Sequence, residues 1–303
     1  MGIGNDSSSI LALSYETSMP NPSRAVRMAP LACLLVLFGT HSPVLGQHEH
    51  SEKAVGDAMY EDGQVDSEQP ESETLSIRYR LMKPDQRAGS GPHPLVVFLH
   101  GAGERGSDNA LQLTYLPRWM TTERHRRDHP CYLLAVQCPE GQWWAPRADD
   151  GTMSAVVGDS PSSMLALEKV LDKVLETEQV DKRRIYLTGL SMGGYGSWHL
   201  AAKQPGRFAA VVPICGGGLI EDAPKLKGVP IWVVHGLDDK VVPEKQSREM
   251  VDAIRAAGGI VRYSPLPGVG HDSWTDAYSR MGVIEWMFEQ QLDPEPMIDS
   301  ASD

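Results

Sequence analysis

Ser191 stands in Gly189-Leu190-Ser191-Met192-Gly193, a run that follows a β-rich segment and precedes an apolar helical one. In that context the pattern predicts a sharp strand-to-helix turn that projects the hydroxyl from the edge of a sheet. Glycine flanks the serine because side chains there would collide with neighbouring backbone. A serine hydroxyl is a poor nucleophile near neutral pH. It needs an imidazole to take its proton, and the imidazole needs a carboxylate to fix its tautomer and stabilise its cation. Downstream, His235-Gly-Leu-Asp-Asp-Lys-Val-Val-Pro243 offers Asp238 and Asp239 on a loop after a strand. Gly268-Val-Gly-His271 offers an imidazole on a glycine-flexed loop before the last helical segment. The order Ser191, acid, His271 therefore places three reactive groups at the carboxyl edge of one sheet, where open α/β sheets carry their sites. Either aspartate can face the imidazole; Asp239 is preferred, with Asp238 as a turn-capping carboxylate.

Acyl transfer also needs donors for a tetrahedral oxyanion. The N–H of Met192 is one. The other is expected from His100-Gly-Ala-Gly-Glu-Arg-Gly106, most simply that of Ala102, since glycines let backbone approach a substrate. A phosphate-cradling role is disfavoured because the Lys-Ser/Thr ending of a P-loop is missing. His100 reads as an organiser of this loop, His235 as a structural strand-end histidine. Trp143 and Trp144, beside Arg147 and Asp149, and Trp274 are candidates for an aromatic wall against a substrate, although one of the adjacent pair can equally serve as an anchor for its loop.

The elements that must position these groups alternate between short β-rich runs and longer helical ones from residue 74 onward. That alternation predicts a doubly wound α/β domain with a mostly parallel sheet. Expected strands are 76–82, 95–99, 132–137, 184–188, 209–214, 231–234 and 260–266, several of them continuously apolar as strands covered on both faces should be. Ser160 and Pro161 read as cap and first-turn residue of a helix with Met164, Leu167, Val170, Leu171, Val174 and Leu175 on one face. Further helices are expected at about 243–257, with Gly258 as terminator, and at about 275–292.

The apolar stretch Leu31–Phe38 is far short of the roughly 20 residues of a membrane span. With Arg24 and Arg27 before it and small or turn-forming residues to Gly46 after it, residues 1–46 fit a secretory signal peptide, better still if translation starts at Met19. The expected location is secreted or periplasmic, with no integral membrane segment after cleavage. Residues 47–73 carry nine acids against one lysine and read as a solvated linker. The formal net charge of −12 argues against a nucleic-acid partner. It resides in the linker and in an acidic tail at 293–303, whereas residues 74–292 balance 25 acids with 25 bases. Cys131, Cys138 and Cys215 match no zinc spacing and read as buried thiols, with a Cys131–Cys138 or Cys138–Cys215 bridge left open.

Taken together, HGAGERG, GLSMGGYG, HGLDDKVVP and GVGHDSW resemble the α/β-hydrolase superfamily over residues 74–292. Within it, the chain is similar to secreted carboxylesterases of the feruloyl esterase and polyhydroxybutyrate depolymerase type, which share a likeness with prolyl oligopeptidase. The resemblance implies a mostly parallel sheet of about eight strands, a small-molecule or polymeric ester as substrate, and no cofactor or metal. Its HG-x-x-D-x-x-V-P spacing selects Asp239. Many relatives insert a cap after the strand that ends here near Ile214; residues 215–229 are too few for one, so no cap domain is expected. The competing functions are a serine peptidase and a noncatalytic binding protein on the same scaffold.

Overall fold

The computed structural model describes residues 56–68, 74–147 and 158–293. The expected leader at 1–46, the ends of the 47–73 stretch and most of the acidic tail lie outside the described residues. Eight strands run β1 (Tyr60–Glu68), β2 (Thr74–Met82), β3 (His93–Leu99), β4 (Tyr132–Gln137), β5 (Val180–Leu190), β6 (Ala210–Ile214), β7 (Ile231–Gly236) and β8 (Val261–Leu266). They form one sheet in the order β1-β2-β4-β3-β5-β6-β7-β8. The pairs from β4 to β8 are parallel; β2 joins both β1 and β4 antiparallel. Among the described residues no helix is long and apolar enough to cross a membrane.

The helices are α1 (Leu116–Met120), α2 (Glu123–Asp128), α3 (Ser162–Thr177), α4 (Met192–Lys203), α5 (Ala223–Leu226), α6 (Lys245–Ala256), α7 (Trp274–Arg280) and α8 (Val283–Phe288). Alternation along the central strands divides the core into two layers. Leu95, Val97 and Leu99 pack with Met164, Leu167, Val170, Leu171 and Val174 of α3, and with the buried residues of α4 and α6. Val96 and Phe98 face the other way, against α1, α7 and α8. Burying such side chains contributes about 1.5–3 kcal/mol each, and this two-faced burial explains why the central strands are apolar throughout.

Three expectations need correction. The acidic linker is strand over Tyr60–Glu68, paired residue for residue with β2 from Tyr60↔Met82 to Glu68↔Thr74. An antiparallel edge strand gains its pairing from backbone hydrogen bonds and needs few inward side chains, so its charge masked it. Tyr60 and Ser67 supply the inward contacts, and Asp62 pairs with Arg80. Secondly, Ser160 does not cap α3. Pro161 occupies the cap position with no side-chain bond, and the Ser160 hydroxyl meets His199 Nε2 at 2.9 Å. Thirdly, the last helix is two, because Gly282 takes φ 75°, a left-handed conformation that no α-helix can continue through.

Candidate active site

Ser191 lies between β5 and α4 with φ 52° and ψ −116°, a conformation that costs a non-glycine residue of order 1–3 kcal/mol. The turn is tight enough to explain its glycines. A Cβ on Gly189 would sit 2.4 Å from the Gly193 carbonyl oxygen, and one on Gly193 would sit 1.9 Å from that of Leu99. The Ser191 amide donates to Ile214 O (3.0 Å), which ties the turn to the end of β6.

The loops after β7 and β8 are clipped together by Leu237 N–H to Leu266 O and Asp238 N–H to Val269 O, both 2.9 Å. This brings Asp239 to His271. Asp239 Oδ2 accepts from His271 Nδ1 at 2.7 Å, and His271 Nε2 lies 3.0 Å from Ser191 Oγ. A carboxylate can only accept, so Nδ1 carries the imidazole hydrogen and Nε2 is free to take the serine's. Asp239 is buried whereas Asp238 is exposed, which separates the two aspartates as expected. Burial alone would raise the Asp239 carboxyl. The His271 hydrogen bond, together with Val242 N–H and Val241 N–H on Oδ1, outweighs it and holds the group below its ordinary value, ionised at neutral pH.

The loop after β3 comes up against this triplet: a Cβ on Gly101 would lie 3.7 Å from Ser191 Cβ. Ala102 opens a 3₁₀ turn, Ala102–Glu104, and Met192 opens α4, so neither N–H has an acceptor within its own helix. His100 is fully buried beneath the loop. Its Nδ1 donates to Gly101 O (2.6 Å) and its Nε2 accepts from Cys138 N–H (2.9 Å). Burial pushes its pKa down to about 4, so it stays neutral and organises the loop, as expected.

The tryptophans divide. Trp144 is fully buried and its indole N–H donates to His100 O (3.2 Å), so it anchors the loop and is not a substrate wall. Trp143 is partly buried, held between the guanidinium groups of Arg105 (4.8 Å) and Arg147 (4.1 Å). Trp274 meets His271 edge to face at 5.3 Å and Tyr115 at 5.4 Å. Tyr115 was missed in the sequence; its φ of 66° in a non-glycine residue signals that tertiary contacts hold it there.

His235 was also underrated. It is buried at the end of β7 with Nε2 3.1 Å from Asp239 Oδ2 and 2.9 Å from Val242 O, and with Nδ1 2.8 Å from Ser247 Oγ. Its place four residues before the acid was a usable signal. Cys131, Cys138 and Cys215 are each free and buried. Cys215, Asp239 and His271 bring three potential metal ligands within 4.8 Å of one another. Burial raises the Cys215 thiol far above its ordinary value, and His271 Nδ1 is committed to the Asp239 carboxylate.

A buried carboxylate, an imidazole and a strained serine in one hydrogen-bonded line can take the proton from the serine hydroxyl. Residues 86–282 match the Phospholipase/Carboxylesterase family. A thermostable esterase of known structure is 38% identical, with a TM-score of 0.69, over 78% of this chain and 64% of its own. A probable feruloyl esterase C of Aspergillus niger is 22% identical over 66% of this chain and 70% of its own length. The bifunctional acetylxylan esterase/xylanase XynS20E of Neocallimastix patriciarum is 30% identical over 26% of this chain, which covers only 12% of that larger protein. The sheet, the strand-to-helix serine turn and the extent of this match establish that the chain belongs to the phospholipase/carboxylesterase family of α/β-hydrolases.

Proposed function

We propose that this protein is a secreted serine hydrolase that cleaves carboxylic esters through an acyl-enzyme. The observation that carries this reading is the unbroken line from Ser191 Oγ through His271 to Asp239, at 3.0 and 2.7 Å. His271 Nε2 takes the Ser191 proton as Oγ forms a bond to the ester carbonyl carbon. Negative charge develops on the carbonyl oxygen, which the Ala102 and Met192 N–H groups receive. Collapse breaks the bond to the alcohol, which leaves with the proton from His271. Water then repeats the sequence on the acyl-Ser191, with His271 as base, and releases the acid. Throughout, Asp239 holds the Nδ1–H tautomer and balances the imidazolium. The names of the relatives, acetylxylan and feruloyl esterases among them, support an ester of a plant-wall or polymeric type.

The test is purified protein against short-chain aryl esters and matched anilides, wild type beside Ser191→Ala. Ester turnover that disappears in the variant, with the anilide untouched, is expected. Turnover that persists in Ser191→Ala would overturn the mechanism, and preference for the anilide would move the protein to the peptidases. Export is tested by expressing the full chain with a C-terminal tag: shortening near residue 46 and recovery outside the cytoplasm are expected, and an uncleaved cytoplasmic chain refutes it.

A further inference from the structure

We propose that His235 is a positioning residue for the carboxylate of Asp239, the fourth member of a hydrogen-bonded chain that runs Ser191, His271, Asp239, His235. The proposal rests on the serine hydrolase reading above. Both side chains of the new link are completely buried. His235 Nε2 faces two acceptors, Asp239 Oδ2 at 3.1 Å and Val242 O at 2.9 Å, so in either charge state it carries one hydrogen and shares it between them. Asp239 Oδ1 meanwhile accepts from Val241 and Val242 N–H at 2.8 and 2.9 Å. The loop from 239 to 242 thus closes on itself around the His235 ring. Behind the ring, Ser247 Oγ of α6 lies 2.8 Å from Nδ1 and 2.7 Å from Gly216 O, in the loop after β6. One imidazole therefore fixes the acid loop against two other parts of the domain.

The consequence lies in which oxygen is shared. Asp239 Oδ2 accepts from His271 and from His235, so His235 competes for the lone-pair density that stabilises the imidazolium of His271. It locates that oxygen while moderating its basicity. A histidine placed there only to fill space would do neither. The ionisable groups facing His235 are Asp239 and Glu244; burial lowers its own basicity, and the hydrogen bond and charge of Asp239 oppose that. Those around the rest of the chain are Cys215, Tyr195 and Asp272, and burial keeps the Cys215 and Tyr195 protons in place well beyond neutrality.

The test compares His235→Phe, which fills the space without a donor, with His235→Gln, whose amide reaches toward Asp239, and His235→Asn, whose shorter amide reaches only Ser247. Active sites are counted with a fluorophosphonate probe so that rates refer to folded sites. For Phe, kcat should fall by about 10- to 100-fold, the loss expected for one hydrogen bond to a charged group, with KM within about twofold. The acidic limb of its pH–rate profile should move upward by about half a unit, because Oδ2 regains density. Gln should return most of kcat and the profile; Asn should resemble Phe. If Phe fails to fold, the contrast of Gln with Asn carries the test. Coincident profiles, a limb that moves downward, or Asn equal to Gln would each overturn the positioning role. A wild-type protein that neither takes the probe nor turns over ester would instead overturn the hydrolase reading beneath it.

Discussion

His100 makes the acid stability of this fold calculable. Its ring is enclosed, with Nδ1–H on Gly101 O and the Nε2 lone pair receiving Cys138 N–H. Protonating Nε2 would set two N–H groups against each other around a fully buried ring. Burial accordingly pushes the pKa down to about 4 from an ordinary 6.5, opposed by the Gly101 carbonyl and assisted by Arg105. The folded value is depressed, so the unfolded chain binds the proton first as pH falls. The stabilisation is complete above about pH 6.5 and is lost progressively toward about pH 4, with a total of about 3 kcal/mol. Between about pH 6 and 4.5 the slope from this one group approaches about 1.3 kcal/mol per pH unit. Urea unfolding of wild type and His100→Gln across that range isolates it, because the carboxylates and the other buried histidines are common to both. The variant should start less stable near neutrality and lose stability less steeply by about 1 kcal/mol per pH unit. Parallel curves would refute a neutral, buried His100 as the source.

Other outcomes follow from single contacts. Gly193→Ala places a methyl 1.9 Å from the Leu99 carbonyl oxygen, so backbone must move; it should lower stability by about 3 kcal/mol or more in urea unfolding and abolish ester turnover. Trp144→Phe keeps an aromatic ring but removes the N–H that reaches His100 O and leaves a small cavity in a fully buried site; a loss of about 1–3 kcal/mol or more in thermal or urea unfolding is expected, larger than for Trp143→Phe. At Tyr115 the usual order should reverse. Because φ is 66°, Tyr115→Gly should be more stable than Tyr115→Ala by about 1 kcal/mol, although both lose the ring packed on Trp274. Asp239→Asn should reduce kcat by about 10³- to 10⁴-fold while leaving KM within a few-fold, since it reverses the tautomer of His271.

Much of the site was legible because its signals are local. The glycines around Ser191 announce a turn that only glycine permits, and strand-end loops must carry Asp239 and His271 to the same edge once the sheet is parallel. What was illegible depended on partners far away in sequence. β1 lacked an apolar pattern, and its pairing with β2 appears only when the backbones meet. Trp143 and Trp144 are adjacent in sequence, yet one is clasped between two arginines and the other is sealed against His100.

By itself, then, the sequence determined the reactive groups, the strands and turns that carry them, and their order around an α/β sheet, because periodicity and glycine sterics act over a few residues. Only the tertiary structure decided that Trp144 is an anchor and that His235 stands behind the carboxylate of Asp239, the aspartate that the spacing had already favoured. Those outcomes turn on hydrogen bonds of about three ångströms between separate loops and strands, and such contacts exist only after the sheet has brought those segments together.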